Sequence, residues 1–202
     1  MSEINYKKEI LLLEDLVNRE FSSFSNKIKK TIKNDHVYYK QLQNRLRFVE
    51  WMNKKFDLSF EGMPNQVFQR EIFYCHLGNN LGSEQGNHRP VVILQNNIGN
   101  NFGNTTIIAP ITTYKNSTFT KSGKVWYIEY DKNGEIIKRK LDFYEVPIEL
   151  EQNPVQKIVG IANVVHMREV SKKRLSKTPV AKVTIDNFNE LRKAVTKNLD
   201  LL

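Results

Sequence analysis

The sequence predicts an α+β protein: a helical hairpin, then a small curled antiparallel sheet or barrel, then a closing helix. Three observations carry this. Apolar residues recur every three or four positions through the first part of the chain. Short β-branched runs separated by turn residues follow. The final stretch, "IDNFNELRKAVTKNLDLL", returns to helical spacing.

Each element has its own signal. Residues 3 to about 33 read as one helix, with Ser2 as N-cap and Ile10, Leu13, Val17, Phe21, Phe24, Ile28 and Ile32 on one face. "KNDH" (Lys33 to His36) reads as a break. A second helix runs to about Lys55, with Leu42, Leu46, Val49, Met52 and Phe56 on one side. The short connection suggests an antiparallel pair. Near Gly62 the style changes, and "EGMPNQ" reads as a linker. We therefore place a helical extension at 1–62 and a β-rich domain at 63–202.

In that domain "VFQREIFYCHL", "RPVVILQN", "TTIIAPITT", "KIVGIANVVHM" and "PVAKVTI" read as strands. "KVWYIEYDKNGEIIKRKL" is a hairpin around Asn133-Gly134, the strongest short hairpin signal. "TYKNSTFTKSGK" reads as a long polar loop. In the closing helix Asn187 and Glu190 have capping-box spacing, and Phe188, Leu191, Val195, Leu199 and Leu202 form the buried stripe.

Composition narrows the function classes. The 202 residues carry a net charge of +9, which suits a polyanionic partner such as nucleic acid. Cys75 is the single cysteine, so no disulfide forms within the chain. The four histidines are scattered, and no Cys/His cluster has zinc spacing. No long uncharged apolar run marks a membrane span, and the first twenty residues lack a signal-peptide layout. The expectation is a cytoplasmic protein with no membrane contact, no cofactor and no metal.

"GSEQGNHRP" (Gly82 to Pro90) concentrates a carboxylate, an amide, an imidazole and a guanidinium in six residues before an apolar strand. Such a density of proton donors and acceptors suits a phosphate-bearing substrate. Arg89 is the candidate phosphate ligand, because its planar fork matches phosphate oxygens, with a surface salt bridge to Glu84 as the competing reading.

With "TTIIAPITT" following it, this block resembles the signature of the PemK/MazF family of toxin endoribonucleases. "REVSKKRL", "AKVTI" and the closing helix keep the family's order, and the resemblance covers about residues 66 to 202. Arg70-Glu71 stands where the family has Gly-Asp. Val165-His166 stands where it has an acid and an amide. The resemblance implies an SH3-like barrel that pairs into a homodimer. It implies metal-independent cleavage of single-stranded RNA at short sequences, leaving a 2′,3′-cyclic phosphate and a 5′-hydroxyl. The implied partners are the RNA and a cognate antitoxin, with DNA reached only through an antitoxin complex.

Carried onto this chain, the family's central catalytic pair is Arg89 and Thr112. Glu84 orients Arg89 or accepts a proton. His88 is a candidate general acid or base, because its ordinary pKa lies near neutrality. The RNA-binding set is Ser83, Gln85, Asn87, Asn96, Thr113, Tyr114, His166 and Arg168. Phe102, Tyr114, Phe119 and Trp126 are candidates for stacking on bases, with core packing as the competing reading. A catalytically inactive nucleic-acid- or partner-binding module on the same fold is the other reading of the chain.

Overall fold

The computed structural model describes residues 6–29, 35–132 and 135–201. They fall in two compact units, 1–53 and 54–202. Ser2, Ile32, half of the expected break (Lys33 and Asn34), Asn133, Gly134 and Leu202 lie outside the described residues.

The first unit holds helix α1 (Tyr6–Lys29) and most of α2 (Asp35–Phe60). Phe24 meets Phe48 with ring centroids 5.8 Å apart. Much of the α1 stripe stays open: Ile10, Leu13, Val17 and Phe21 are each more than half exposed. The last turns of α2 belong to the second unit. There Leu58 is buried, Lys54 pairs with Glu61 at 3.2 Å, and the Lys173 ammonium donates to the Ser59 carbonyl.

The second unit is a curled antiparallel sheet. Its strands are β1 (Glu71–Gly78), β2 (Asn87–Ile93), β3 (Thr105–Thr113), β7 (Glu145–Pro147), β8 (Gly160–Asn163), β9 (Arg168–Ser171) and β10 (Ala181–Lys182). The order is β10-β1-β2-β3-β8-β7. β3 is long enough to pair with β9 along its first half and β8 along its second. The sheet edges then meet. Leu150 bridges Val183, Glu151 N–H donates to the Lys182 carbonyl at 2.8 Å, and Thr184 N–H donates to the Glu149 carbonyl at 2.9 Å. These bonds close the sheet into the expected small barrel.

A three-stranded arm, β4 (Ser117–Ser122), β5 (Val125–Lys132) and β6 (Glu135–Lys140), extends from it. The stretch read as a long loop, "TYKNSTFTKSGK", therefore contains a strand. Ser117 to Ser122 pair residue by residue with Tyr130 to Val125. Polar residues alternate there with Phe119, which is how a strand exposed on one face looks.

Two cores flank the sheet. One lies under helix α4 (Ile185–Asn198), where Phe188, Leu191 and Ala194 pack on Ile72, Val92 and Ala109. The Phe and Leu side chains contribute roughly 1.5–3 kcal/mol each by burial. The other holds Phe73, Cys75, Leu77, Val91, Ile93 and Ile108. The start of α4 corrects the capping expectation. Thr184 is the N-cap, its hydroxyl accepting from Asn187 N–H at 3.2 Å. The Asn187 side chain is buried and ties β7 to α4, donating to the Pro147 carbonyl at 2.7 Å. The strand expected from Val67 begins only at Glu71, because Phe68 to Glu71 form a turn. Arg70 sits there at φ 75°, a left-handed conformation that favours glycine. Its guanidinium compensates by donating to the Val183 carbonyl and pairing with Glu151 at 2.9 Å.

Candidate nucleic-acid interface

The site forms where β1, β2, β3 and β9 come together. Val91 pairs with Pro110, Val92 with Ala109 and Ile93 with Ile108. Continuing that register two residues toward the start of β2 sets Arg89 opposite Thr112. β9 pairs Arg168 with Ile108 on the other edge of β3. Alternation then places Arg89, Val91, Ile108 and Arg168 on one face.

The loop between β1 and β2 is held tightly. Gly82 takes φ 57°. A Cβ on Gly86 would lie 2.5 Å from the Gly78 carbonyl oxygen, so the loop closes only because Gly86 has no side chain. The Gln85 carbonyl accepts from Asn80 Nδ2 at 2.8 Å and from Arg168 at 3.2 Å. Opposite, a Cβ on Gly160 would meet the Thr112 carbonyl oxygen at 2.4 Å, so glycine lets β8 press against the end of β3.

Gln85 is the bridge. Its Oε1 accepts from an Arg89 terminal nitrogen at 3.0 Å, and its Nε2 donates to Thr112 Oγ1 at 3.4 Å. Arg89 Nε donates to the Gly86 carbonyl at 2.8 Å. The Arg89 fork is thus aimed by Gln85 and Gly86. Glu84 is exposed, and its charge acts on Arg168.

Arg168 donates to the Leu77 carbonyl at 3.1 Å, and Arg174 reaches the same carbonyl at 3.4 Å. Three guanidinium groups therefore converge on the end of β1 and its loop. Burial, then the neighbouring Arg168 charge, pulls the Arg89 pKa down. Burial does the same to Arg168, and Arg174 adds to it against Cys75 and Glu84. Arg168 Nε is buried with no partner among the described residues. An anion placed here would relieve the repulsion, and phosphate fits the forked donors. The sequence reading missed Arg174. Its signal was the pair of arginines in "REVSKKRL", which a 3₁₀ turn at Lys172–Arg174 folds back to one spot.

His88 does not join this group. It follows the strand alternation to the opposite face, where its ring stacks on His76 (4.1 Å between centroids) and Tyr74 (5.2 Å). Asn96 caps helix α3 (Asn97–Phe102), its Oδ1 accepting from Gly99 N–H at 2.8 Å. Tyr114, Phe119 and Trp126 pack with Ile128, Leu141 and Ile161, while Phe102 is exposed. His166 is half-buried in a 3₁₀ turn, Val164–His166. Ser83, Asn87 and Thr113 are exposed around the loop and strand ends, and Asn87 takes φ 66°. Cys75 lies beneath the cluster, its thiol pushed up to about 12 by burial, so it is no nucleophile. No group of three metal-ligating side chains occurs among the described residues.

The fold is a small barrel that gathers three guanidinium groups and a hydroxyl at one strand end. Residues 68–199 match the PemK-like, MazF-like toxin family of type II toxin-antitoxin systems, and the chain belongs to that family. The endoribonuclease EndoA of Bacillus subtilis is 48% identical over 46 residues, 23% of this chain and 40% of EndoA. The endoribonuclease MazF of Staphylococcus saprophyticus is 40% identical over 72 residues, 36% of this chain and 53% of that one. The chain thus spans about half the length of these curated relatives or less. Among solved structures, MazF of Deinococcus radiodurans aligns with 67% of this chain and 97% of its own, at 16% identity and TM-score 0.48. An endoribonuclease from a mycobacterial species, in complex with its cognate antitoxin, aligns at 17% identity and TM-score 0.44. No described helix is long and apolar enough to cross a membrane.

Proposed function

We propose that this chain is an endoribonuclease toxin that cuts single-stranded RNA at particular short sequences without a metal. The observation that carries the reading is the Arg89–Gln85–Thr112 chain of hydrogen bonds beside two further arginines. Such a site draws in a phosphodiester and repels a divalent cation.

In this reading the ribose 2′-oxygen attacks the adjacent phosphorus and the bond to the 5′-oxygen breaks. Arg89 clamps the phosphorane oxygens. Its lowered pKa also suits it to give a proton to the leaving 5′-oxygen. Thr112 holds the phosphate or the 2′-hydroxyl. Glu84, exposed on the loop, takes the 2′-hydroxyl proton. The products are a 2′,3′-cyclic phosphate and a 5′-hydroxyl. His88 faces away and has no part in these steps. Gln85, Asn87, Ser83, Thr113 and Arg168 border the RNA, with His166 in the 3₁₀ turn just before β9 at its margin. The family match supports an antitoxin as the protein partner. We carry the homodimer, the cytoplasmic location and DNA contact only through that antitoxin as parts of this reading.

The test is incubation with a long mixed-sequence RNA in EDTA, mapping new ends. Discrete cuts with cyclic-phosphate and 5′-hydroxyl termini, lost in Arg89→Ala, are expected. A folded protein that binds RNA but never cuts it would replace the enzyme with a binding module.

A further inference from the structure

A second basic cavity lies away from Arg89, between the β4–β6 arm and helix α4. It encloses about 800 Å³. Lys121, Lys124, Lys140, Lys193 and Lys197 line it, together with Trp126 and Phe143. Its three carboxylates are already engaged. Arg139 grips Glu145 with two bonds of 2.7 and 2.9 Å. Glu190 accepts from Lys121 and from Trp126 Nε1, and Asp142 accepts from the Tyr144 hydroxyl at 2.8 Å. Lys124, Lys140 and Lys193 have no carboxylate partner among the described residues. Lys121 and Lys197 sit over the Trp126 and Phe143 rings, at 4.9 and 4.4 Å from the centroids.

We propose that this cavity is an accessory RNA-binding groove that holds nucleotides flanking the cleaved bond. The inference rests on the endoribonuclease reading and extends it. Its lysines come from four separate places, the end of β4, the β4–β5 turn, the end of β6 and α4. That spacing suits successive phosphates more than one compact anion. Lysine contacts phosphate as a point charge without reading sequence. Trp126 and Phe143 supply ring faces on which bases stack regardless of identity. The groove and the strand that carries Thr112 share one packed core. Tyr114, two residues beyond Thr112, packs into the same small core that Trp126 joins.

The test has two arms. In an Arg89→Ala background, expected to cut far more slowly than the parent, the variant Lys124→Gln/Lys140→Gln/Lys193→Gln is titrated with a long single-stranded RNA over a range of salt. Affinity is expected to fall at least tenfold, and the slope of log K against log salt by about 2, three contacts at about 0.7 each. With Arg89 restored, the triple variant is expected to cut a short oligonucleotide at the parent rate. All three lysines are at the surface, so the melting temperature checks that the fold is kept; Lys193→Gln alone serves if the triple variant melts early. Unchanged affinity and salt slope would overturn the groove and leave the endoribonuclease standing. A protein that neither binds nor cuts RNA would overturn both. Lost affinity for polyglutamate with unchanged RNA binding would assign the cavity to an acidic protein and overturn the proposal.

Discussion

His88 and Arg89 are neighbours in sequence and lie on opposite faces of one sheet. On the Arg89 face, guanidinium groups gather over the loop, and Gln85 ties Arg89 to Thr112. On the His88 face, three rings stack in a ladder, Tyr74, His88 and His76, near Lys54 of α2. One face concentrates charge that a phosphate would neutralise. The other stacks three rings at the surface, Tyr74 and His76 half-buried and His88 exposed. A histidine beside a catalytic-looking arginine invites a paired role, but strand alternation separates them.

The sharpest way to break this contrast is to truncate each neighbour. Arg89→Ala is expected to lower the cleavage rate by about 10²–10³-fold or more, the scale of losing a preorganised donor to a charged transition state. His88→Ala is expected to stay within a few-fold of the parent. Single-turnover rates on one oligonucleotide measure both. Equal losses would mean that the two faces act together.

Gly86 sharpens the contrast next, because it sets the loop that aims Arg89. Its missing Cβ leaves room for the Gly78 carbonyl oxygen, 2.5 Å from where that Cβ would sit. Gly86→Ala must push the loop away and break the Gln85 bridge. Cleavage is expected to fall by tens of fold, with about 1–3 kcal/mol lost in stability. Urea unfolding and kcat together check this. A variant with parent stability and parent rate would show that the loop has slack the geometry denies.

Much of this was legible in the sequence, and the misses share a cause. Thr105 to Thr113 were readable as a strand because β-branched residues crowd together there. "GSEQGNHRP" was readable as a loop and strand entry because Gly and Pro punctuate it. Which residues face each other was not readable. Facing depends on pairing register, and the register shifts at a bulge between His76 and Gly78. Arg174 reaches Leu77 across 97 residues of chain, which no local spacing encodes. Asn187 looked like a cap because local patterns cannot show that Pro147 would claim its side chain. The closure of the barrel through Leu150 and Val183 was unreadable for the same reason.

The smallest expected effect tests the His88 face through pH. Burial, then the His88 charge and Lys54, holds the His76 pKa below its ordinary 6.5, and Glu61 opposes this. Burial, then Lys54, does the same for His88. As pH falls through about 6.5 the unfolded chain takes up these protons first, while the folded chain resists. Stability contributed by the neutral pair is therefore full above that pH and lost as pH drops through the depressed folded values. The melting temperature is expected to fall by a few degrees between pH 7 and pH 5.5. The double variant His76→Asn/His88→Asn should flatten that slope while leaving cleavage at pH 7.5 within a few-fold of the parent. Glu61 does not confound the window, since its pKa is itself lowered, chiefly by the hydrogen bond from Lys54. If the double variant keeps the full pH slope, the stacked imidazoles are not what couples this face to protons. Lost cleavage at pH 7.5 would return His88 to the catalytic side of the sheet.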